Sequence, residues 1–404
     1  MDPGDYVIYI AIILLLGTLS SALAYKLKTS NVFFLILIGM VFGTTNIISF
    51  PESAIITISV IALILVIFDS TNKLSIKEFL RYSQTALKLI LIFLILNLVF
   101  MTISVKLLFG ADILLSLLFA AIVYGIDPMI ALSIFKDHKG EIVNILKIES
   151  IINTPLTIII PFLIIGMIEK TGFAIGDISS QIVPFIQQII LGVGIGIIIG
   201  FVVVMIMKKA YMGDLSHLAL ITAAIITYVA SERIGGNGVL AITAFGLIFG
   251  NLKMHHKIEL ENFASIFSYT LEILVFILMG TFLVIKPEYI LKGTILFLIY
   301  IPIRFVSVML SFPKFKLREK IFMSLNVPKG IDVAIIVLLL LSQFKTIEGI
   351  GLVVNLSLLF ILYSIVLSTV VGALMGKSVM KPDENTLRKH QGNVIHKILT
   401  HKIR

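Results

Sequence analysis

The chain contains no cysteine, and charged residues make up only 14% of its 404 residues. The absence of cysteine excludes disulfides, thiol catalysis and thiolate metal sites. A soluble domain carries charge on about a quarter of its residues, so this low fraction excludes a large water-exposed surface. Hydrophobic residues instead reach 58% of the chain, and the mean hydropathy is +1.10. The composition therefore predicts a protein embedded in lipid, with no sizeable soluble domain.

Long apolar runs, separated by charged residues or by Gly, Pro and Asn clusters, divide the chain into thirteen segments. A bilayer span needs roughly 20 mostly apolar residues, and each run approaches that length. We therefore predict an all-α polytopic membrane protein with about 13 transmembrane helices. The predicted spans are 6–25, 31–49, 53–69, 84–109, 112–135, 142–168, 182–207, 214–231, 236–250, 263–285, 290–311, 321–343 and 349–375.

The distribution of Lys and Arg gives an independent test of this count, since cytoplasmic loops are enriched in both. Fifteen lie in or beside the odd-numbered loops and six in or beside the even-numbered loops, and the tail after residue 376 adds seven. This alternation predicts an external N-terminus and a cytoplasmic C-terminus in a multi-pass protein of the cell membrane. Basic loops beside the membrane also explain the net charge of +9, so no nucleic-acid partner is expected.

Nine charged residues fall within or near the predicted spans. A charge at the bilayer centre costs several kcal/mol, so such residues pair, face a cavity or carry the chemistry. They are Asp69, Lys88, Asp127, Lys147, Glu149, Glu272, Arg304, Lys329 and Asp332.

Span 5 contains Gly125, Ile126, Asp127 and Pro128 in sequence. Proline removes a backbone hydrogen bond and clashes with the preceding turn, so we expect the helix to break beside a carboxylate. Irregular backbone is tolerated at membrane depth only when it is buried in protein or lines a wet cavity. Unwound carbonyls beside Asp127 would suit a dehydrated Na⁺ or Li⁺. The alternative is a simple proline kink, with Asp127 in a structural pair.

Span 6 carries Glu149, Ser150, Asn153 and Thr154 directly before Pro155, which we expect to disrupt the helix ladder. Residues four apart lie on one helix face, so Glu149 aligns with Asn153, and Ser150 aligns with Thr154. These polar stripes indicate a face that is turned away from lipid.

The second half of the chain supplies further intramembrane charges. Arg304 in span 11 cannot lose its proton, and Glu149 is the acid that we expect to pair with it. In span 12, Lys329 and Asp332 follow Pro328 at a spacing that allows either a local pair or a direct role for each. The glycines of span 7 lie in an apolar run and predict close helix packing rather than nucleotide binding. The chain shows no nucleophile or metal-ligand motif of an enzyme, and no cofactor is expected.

These motifs resemble those of the NhaP branch of the sodium/proton antiporters, in the monovalent cation/proton antiporter superfamily. The segment Ile126–Pro128 is similar to the family's Thr-Asp-Pro, and Glu149–Pro155 is similar to its Glu-Ser-x-x-Asn-Asp-Pro. Pro328–Gly330 is similar to Pro-Arg-Gly, and Phe68-Asp69 to the start of Phe-Glu-x-Gly. The resemblance covers about residues 6–375.

The resemblance implies an inverted-repeat fold with two broken helices that cross at mid-membrane. Spans 1–3 would repeat as spans 8–10, and spans 4–6 as spans 11–13. It implies a division into scaffold or dimerisation spans (1–83 and 214–285), core spans (84–168 and 290–375), a linking span (182–207) and a basic cytoplasmic tail (376–404). A homodimer in membrane lipid follows from the same resemblance.

The resemblance also assigns roles to individual residues. Asp127, Ser150 and Thr154 would bind the ion, and Glu149 and Arg304 would form a structural pair. Four residues would support the site, namely Asp69, Asn153, Pro128 and Pro155. Lys329, Asp332, Lys147 and Glu272 remain other candidates for intramembrane charge. The family has its ion- and proton-carrying aspartate at the position of Thr154, and a threonine at the position of Ile126.

The predicted function is exchange of protons for a monovalent cation by alternating access. Na⁺ is the expected cation, with Li⁺ and K⁺ as alternatives, and Asp127 is the expected exchangeable carboxylate. Because threonine at position 154 has no titratable proton, a second hypothesis remains open. In that hypothesis the chain is a degenerate antiporter-fold protein without proton coupling, acting as a sensor, regulator or passive cation pathway.

Overall fold

The computed structural model describes residues 3–27, 30–45, 50–126, 141–169, 177–254, 256–283 and 287–379. These residues form fourteen α-helices and, within those ranges, no β-strand. The helices are α1 Pro3–Leu27, α2 Asn31–Thr45, α3 Glu52–Asn72, α4 Ile76–Phe109, α5 Ile113–Tyr124, α6 Glu141–Glu169, α7 Asp177–Lys209, α8 Asp214–Arg233, α9 Gly238–Asn251, α10 Lys257–Thr281, α11 Pro287–Ser311, α12 Leu317–Leu325, α13 Ile331–Gln343 and α14 Ile350–Val379.

Each of the thirteen predicted spans has a helical counterpart. In the part of the chain that the structure describes, nine helices are long and apolar enough to cross a membrane, and four further apolar helices are shorter. Side chains cap the start of α9, where the chain has left α8. Asn237 accepts a hydrogen bond from Leu240 N at 2.9 Å, and Glu232 accepts one from Gly238 N at 2.7 Å. The all-α multi-span prediction is confirmed.

Two predicted spans are interrupted, and the structure corrects one of the expected positions. Helix α5 ends at Tyr124, ahead of the Asp127-Pro128 pair, which lies outside the described residues. Helix α6, in contrast, continues through position 155, so the expectation that Pro155 disrupts it is wrong. Transmembrane helices tolerate proline where neighbouring groups satisfy the freed backbone. The second interruption lies in span 12, where residues 326–330 separate α12 from α13.

Serine side chains of α14 satisfy the backbone at this second interruption. Val327 N donates to Ser368 Oγ and Lys329 N donates to Ser364 Oγ, each at 3.1 Å. Both serines are buried. An unpaired N–H at membrane depth would cost several kcal/mol, so these two bonds explain how the helix can break in a lipid environment.

The helices pack mainly within two groups. The first, called the scaffold group, contains α1, α2, α3, α7, α8, α9 and α10; the second, called the core group, contains α4, α5, α6, α11, α12, α13 and α14. The groups meet chiefly where α13 lies against α3 and α10, with smaller contacts between α14 and α2 and between α6 and α3. The interrupted span 12 therefore lies at the boundary between the groups.

Close glycine contacts bring scaffold helices together. A methyl group at Gly196 of α7 would overlap the carbonyl oxygen of Ala241 on α9, and one at Gly192 would lie 2.5 Å from Asn237 O. Gly39 of α2 lies similarly against Ile277 of α10. Small residues allow this approach where lipid provides no hydrophobic force between helices. The packing interpretation of the span 7 glycines is confirmed at these positions.

Candidate ion-binding site

A buried ion pair joins α6 to α11 inside the core group. Arg304 Nη2 donates to Glu149 Oε2 at 2.8 Å, and Arg304 Nη1 lies 2.6 Å from Glu149 Oε1. Both side chains are completely shielded from solvent. The Arg304 guanidinium also lies 4.9 Å from the centre of the Phe93 ring on α4, where the ring face attracts a cation. The arrangement holds three core helices together and neutralises both charges.

Lys329 lies in the interruption between α12 and α13 and is fully buried. Its Nζ donates to the carbonyl oxygen of Val123, in the last turn of α5, and to the Tyr300 hydroxyl at 2.6 Å. A helix C-terminus carries partial negative charge on its unsatisfied carbonyls, so the ammonium stabilises the end of α5. The sequence left open either a local pair with Asp332 or a direct role for Lys329. The structure places the Lys329 side chain against α5 and Tyr300 and not in a pair with Asp332.

Asn153 connects α6 to the same end of α5. The Tyr124 hydroxyl donates to Asn153 Oδ1 at 2.7 Å, and both residues are buried. Immediately beyond α5, a methyl group added to Gly125 would lie 2.5 Å from Thr157 Cγ2 and 2.9 Å from Val333 Cγ2. Glycine is therefore required by the close approach of α6 and α13 to the chain that leaves α5.

A cavity lies between the scaffold and core groups. Helices α3 and α9 form its scaffold side, and α6 and α13 form its core side. Ser150, Thr154 and Asp332 all line it, so the structure brings three of the predicted site residues to one space. The complete lining is Leu63, Val66, Ile67, Ser70, Thr71, Ser150, Ile151, Thr154, Thr243, Ile331 and Asp332.

The hydrogen bonds of the cavity hydroxyls follow from their positions on helices. Thr154 Oγ1 donates to Ser150 O at 3.0 Å, which also shows that these two residues share a face of α6. Thr243 donates in the same way to Val239 O at 2.8 Å. A hydroxyl has one hydrogen and two lone pairs, so each of these oxygens keeps acceptor capacity after its hydrogen is used.

Asp332 occupies the first turn of α13, where its Oδ1 accepts a hydrogen bond from Val333 N at 2.9 Å. The residue is only 3% exposed. Asp332 is the carboxylate among the described residues that line the cavity.

The remaining predicted charges lie away from the cavity. Asp69 near the end of α3 accepts hydrogen bonds from Lys73 Nζ at 2.7 Å and from Ser265 Oγ at 2.5 Å. Lys147 on α6 and Glu272 on α10 are half-buried, and Lys88 on α4 is exposed on the protein surface. Asp69 thus joins α3 to α10, while Asp127 and Pro128 fall outside the described residues.

The sequence interpretation did not single out the aromatic residues around the buried charges. Phe93 stacks on Tyr124 with ring centres 5.4 Å apart, and it contacts Tyr300 edge to face at 5.7 Å. Tyr124 and Tyr300 also supply the hydroxyls that bind Asn153 and Lys329. Tyr124 lies three residues before Asp127 and Tyr300 lies four residues before Arg304. This proximity to intramembrane charges is the signal that could have identified them, since a buried tyrosine hydroxyl needs a polar partner.

Comparison with known proteins assigns this arrangement to a family. The model of the family described as "Sodium/hydrogen exchanger, transmembrane" matches residues 10–381. The "Low-affinity Na(+)/H(+) antiporter NhaS1" of Synechocystis sp. is 24% identical over 144 residues, covering 35% of this chain and 27% of that protein. The "Probable Na(+)/H(+) antiporter 2" of Methanocaldococcus jannaschii is 26% identical over 348 residues, covering 80% of this chain and 81% of that protein.

The fold also matches a solved structure. The structure of the sodium proton antiporter MjNhaP1 from Methanocaldococcus jannaschii superposes with a TM-score of 0.76 at 20% identity, covering 92% of this chain and 100% of that one. This chain belongs to the sodium/hydrogen exchanger family. It is a multi-pass membrane transporter of the monovalent cation/proton exchange class and not an enzyme.

Proposed function

We propose that this protein exchanges protons for Na⁺ across a cell membrane, and that the cation binds in the cavity between α3, α6, α9 and α13. The observation that carries the proposal is the set of oxygen-bearing side chains that line this cavity. Ser150, Thr154 and Asp332 supply hydroxyl and carboxylate oxygens to one cavity of a protein in which 58% of the residues are hydrophobic. Hard cations such as Na⁺ bind to oxygen ligands of this kind.

Exchange requires one group that binds either H⁺ or the cation, but not both together. We assign this role to Asp127 on sequence grounds, since it follows Gly125 and Ile126 directly. Gly125 in turn lies against Thr157 of α6 and Val333 of α13, the two core helices that line the cavity. Ser150 and Thr154 would supply further oxygens to the cation, and Asn153 would hold the end of α5 in place through Tyr124.

The position of the cavity suits alternating access. It lies between the scaffold group and the core group, and sliding of one group against the other would open it to one side of the membrane at a time. The Glu149–Arg304 pair and Lys329 lie wholly inside the core group. They would therefore keep the core group rigid while it moves.

The domain organisation, topology and assembly belong to the same proposal. Residues 84–168 and 290–375 would form the moving core, and residues 1–83 and 214–285 the scaffold through which two copies associate in lipid. Residues 182–207 would link the two repeats, and 376–404 would form a cytoplasmic tail. The excess of Lys and Arg in the odd-numbered loops supports an external N-terminus and a cytoplasmic C-terminus.

The direct test is proton-coupled flux in proteoliposomes that contain the purified protein and a trapped pH-sensitive dye. A sodium pulse outside the vesicles should change the internal pH, and protein-free vesicles give the baseline. The absence of a carboxylate at position 154 favours one other candidate, a cation pathway without proton coupling. Uptake of radioactive sodium with no change of internal pH would establish that candidate and refute exchange.

A further inference from the structure

A single carboxylate lines the cavity among the residues that the structure describes, and it lies on α13 and not on α6. Asp332 belongs to the first turn of α13, while Ser150 and Thr154 belong to α6, yet all three border the same space. We infer that Asp332 is a direct ligand of the transported cation. This inference rests on the proposed transport of Na⁺, but it concerns binding and assigns no proton to Asp332.

Four of the five hydroxyl groups that line the cavity favour a cation over an anion. Four hydroxyls donate their hydrogens to backbone carbonyls of their own helices, at distances of 2.7 to 3.0 Å. Each hydroxyl therefore offers the cavity lone pairs and no further hydrogen. An anion would need donors, whereas Na⁺ and Li⁺ need acceptors. The four residues are Ser70, Thr71, Thr154 and Thr243.

Neutral oxygens alone are weak ligands for a cation that must leave water, because the lost hydration has to be replaced in a low-dielectric site. The N-terminus of α13 adds to this difficulty, since its partial positive charge repels a cation. The carboxylate of Asp332 at that end offsets both effects. At 3% exposure it is shielded from bulk solvent, so its attraction for a cation in the cavity is only weakly screened.

A purely structural role for Asp332 is the competing explanation, since Oδ1 accepts a hydrogen bond from Val333 N. Asparagine can accept the same hydrogen bond but carries no charge, so Asp332→Asn separates the two roles. Asp112 provides a matched control, because its Oδ1 accepts a hydrogen bond from Leu114 N at 2.8 Å at the start of α5, on an exposed residue outside the cavity lining. Asp112→Asn therefore makes the same chemical change at another helix N-terminus.

The experiment measures Na⁺ binding by calorimetry on detergent-purified protein, and Na⁺-driven exchange in proteoliposomes. We expect Asp332→Asn to weaken Na⁺ binding at least about tenfold, while Asp112→Asn binds as the wild type does. Adding Thr154→Asp to Asp332→Asn returns a carboxylate to the same cavity and should restore binding. A helix-capping role would predict no such rescue.

The outcomes separate this inference from the proposed function. Wild-type Na⁺ affinity in Asp332→Asn, or failure of wild-type protein to bind Na⁺, overturns the assignment of Asp332. Binding that depends on Asp332 without any proton exchange refutes the proposed function and leaves the ligand assignment standing. If Asp332→Asn does not fold, Asp332→Glu keeps the charge but moves the carboxylate by one methylene. It should change the ratio of Li⁺ to Na⁺ affinity, and an unchanged ratio overturns the inference.

Discussion

Arg304 and Glu149 are 155 positions apart in the sequence, yet their side chains form a two-point ion pair that is fully shielded from solvent. Glu149 comes from α6, beside Ser150 of the cavity lining, and Arg304 comes from α11 on the other half of the core group. The pair therefore fixes the helix that carries two of the candidate ion ligands. The Phe93 ring of α4 lies against the Arg304 guanidinium of this pair.

The first prediction is that Glu149 and Arg304 do not contribute independently to the stability of the fold. Removing one partner of a buried pair costs about 3–5 kcal/mol, because the remaining charge is stranded. Glu149→Ala and Arg304→Ala should each lower the thermal midpoint, and the double variant should lose less than their sum. The control is Glu288→Ala, which breaks the exposed 2.9 Å pair with Lys292 and should cost less than about 1 kcal/mol. Strictly additive losses would show that Glu149 and Arg304 act independently.

A second prediction concerns the hydroxyl that joins α5 to α6. Tyr124→Phe removes the donor to Asn153 Oδ1 and leaves a buried acceptor unpaired, at a cost of about 1–3 kcal/mol. Thermal unfolding in detergent measures this loss. Tyr363→Phe is the control, since its hydroxyl contacts Thr294 Oγ1 at an exposed site and its removal should change stability by less than about 0.5 kcal/mol. Equal effects of the two variants would contradict the importance of the Tyr124 bond.

Two glycines of α7 should respond differently to the same substitution. Gly196→Ala places a methyl group against the carbonyl oxygen of Ala241, and overpacking of this kind costs typically about 1–3 kcal/mol. Gly194 has open space around its Cβ position, so Gly194→Ala should be neutral, or more stable by up to about 1 kcal/mol. The measurement is the thermal midpoint of each variant. Similar losses in both would show that α7 and α9 do not pack through this glycine face.

The fourth prediction concerns the proposed exchange itself. Asp127→Asn should abolish proton-coupled cation flux, since an amide cannot exchange a proton at neutral pH. Thr154→Asp should increase Na⁺ affinity and flux, because an added anion in the cavity attracts the cation. Both are measured with a pH-sensitive dye under a sodium pulse. Unchanged exchange in Asp127→Asn would place the chemistry elsewhere, and flux that occurs only in Thr154→Asp would favour the degenerate-transporter hypothesis.

The fifth prediction concerns topology, which the lack of cysteine makes simple to test. Ala210→Cys lies in the exposed loop between α7 and α8, which the distribution of Lys and Arg places in the cytoplasm. Thr346→Cys lies in the exposed loop between α13 and α14, which should face outward. A membrane-impermeant maleimide added to intact cells should therefore label Thr346→Cys alone. Labelling of both or of Ala210→Cys alone would refute the predicted orientation.

Sequence by itself determined the class of protein and located the helical segments of the predicted spans. Hydropathy is a local property, and a run of about 20 apolar residues can satisfy its backbone in lipid only as a helix. The choice of Glu149 as the partner of Arg304 also rested on elementary chemistry, since a buried guanidinium must meet an acid. The placement of Ser150 and Thr154 on one helix face followed from the four-residue spacing.

Tertiary structure alone decided that α6 continues past Pro155, that span 12 is interrupted at residues 326–330, and where the cavity lies. Pro155 predicted a disruption in α6, but the helix continues there. Residues 326–330, in contrast, can be non-helical because serines of α14 accept hydrogen bonds from two of their N–H groups. Likewise, Asp332 could equally have paired with Lys329 three residues away. The packing of α5 and α11 gave Lys329 other partners, and the packing of α13 on α3 placed Asp332 beside the hydroxyls of α6. Such contacts join segments distant in sequence, so no local pattern encodes them.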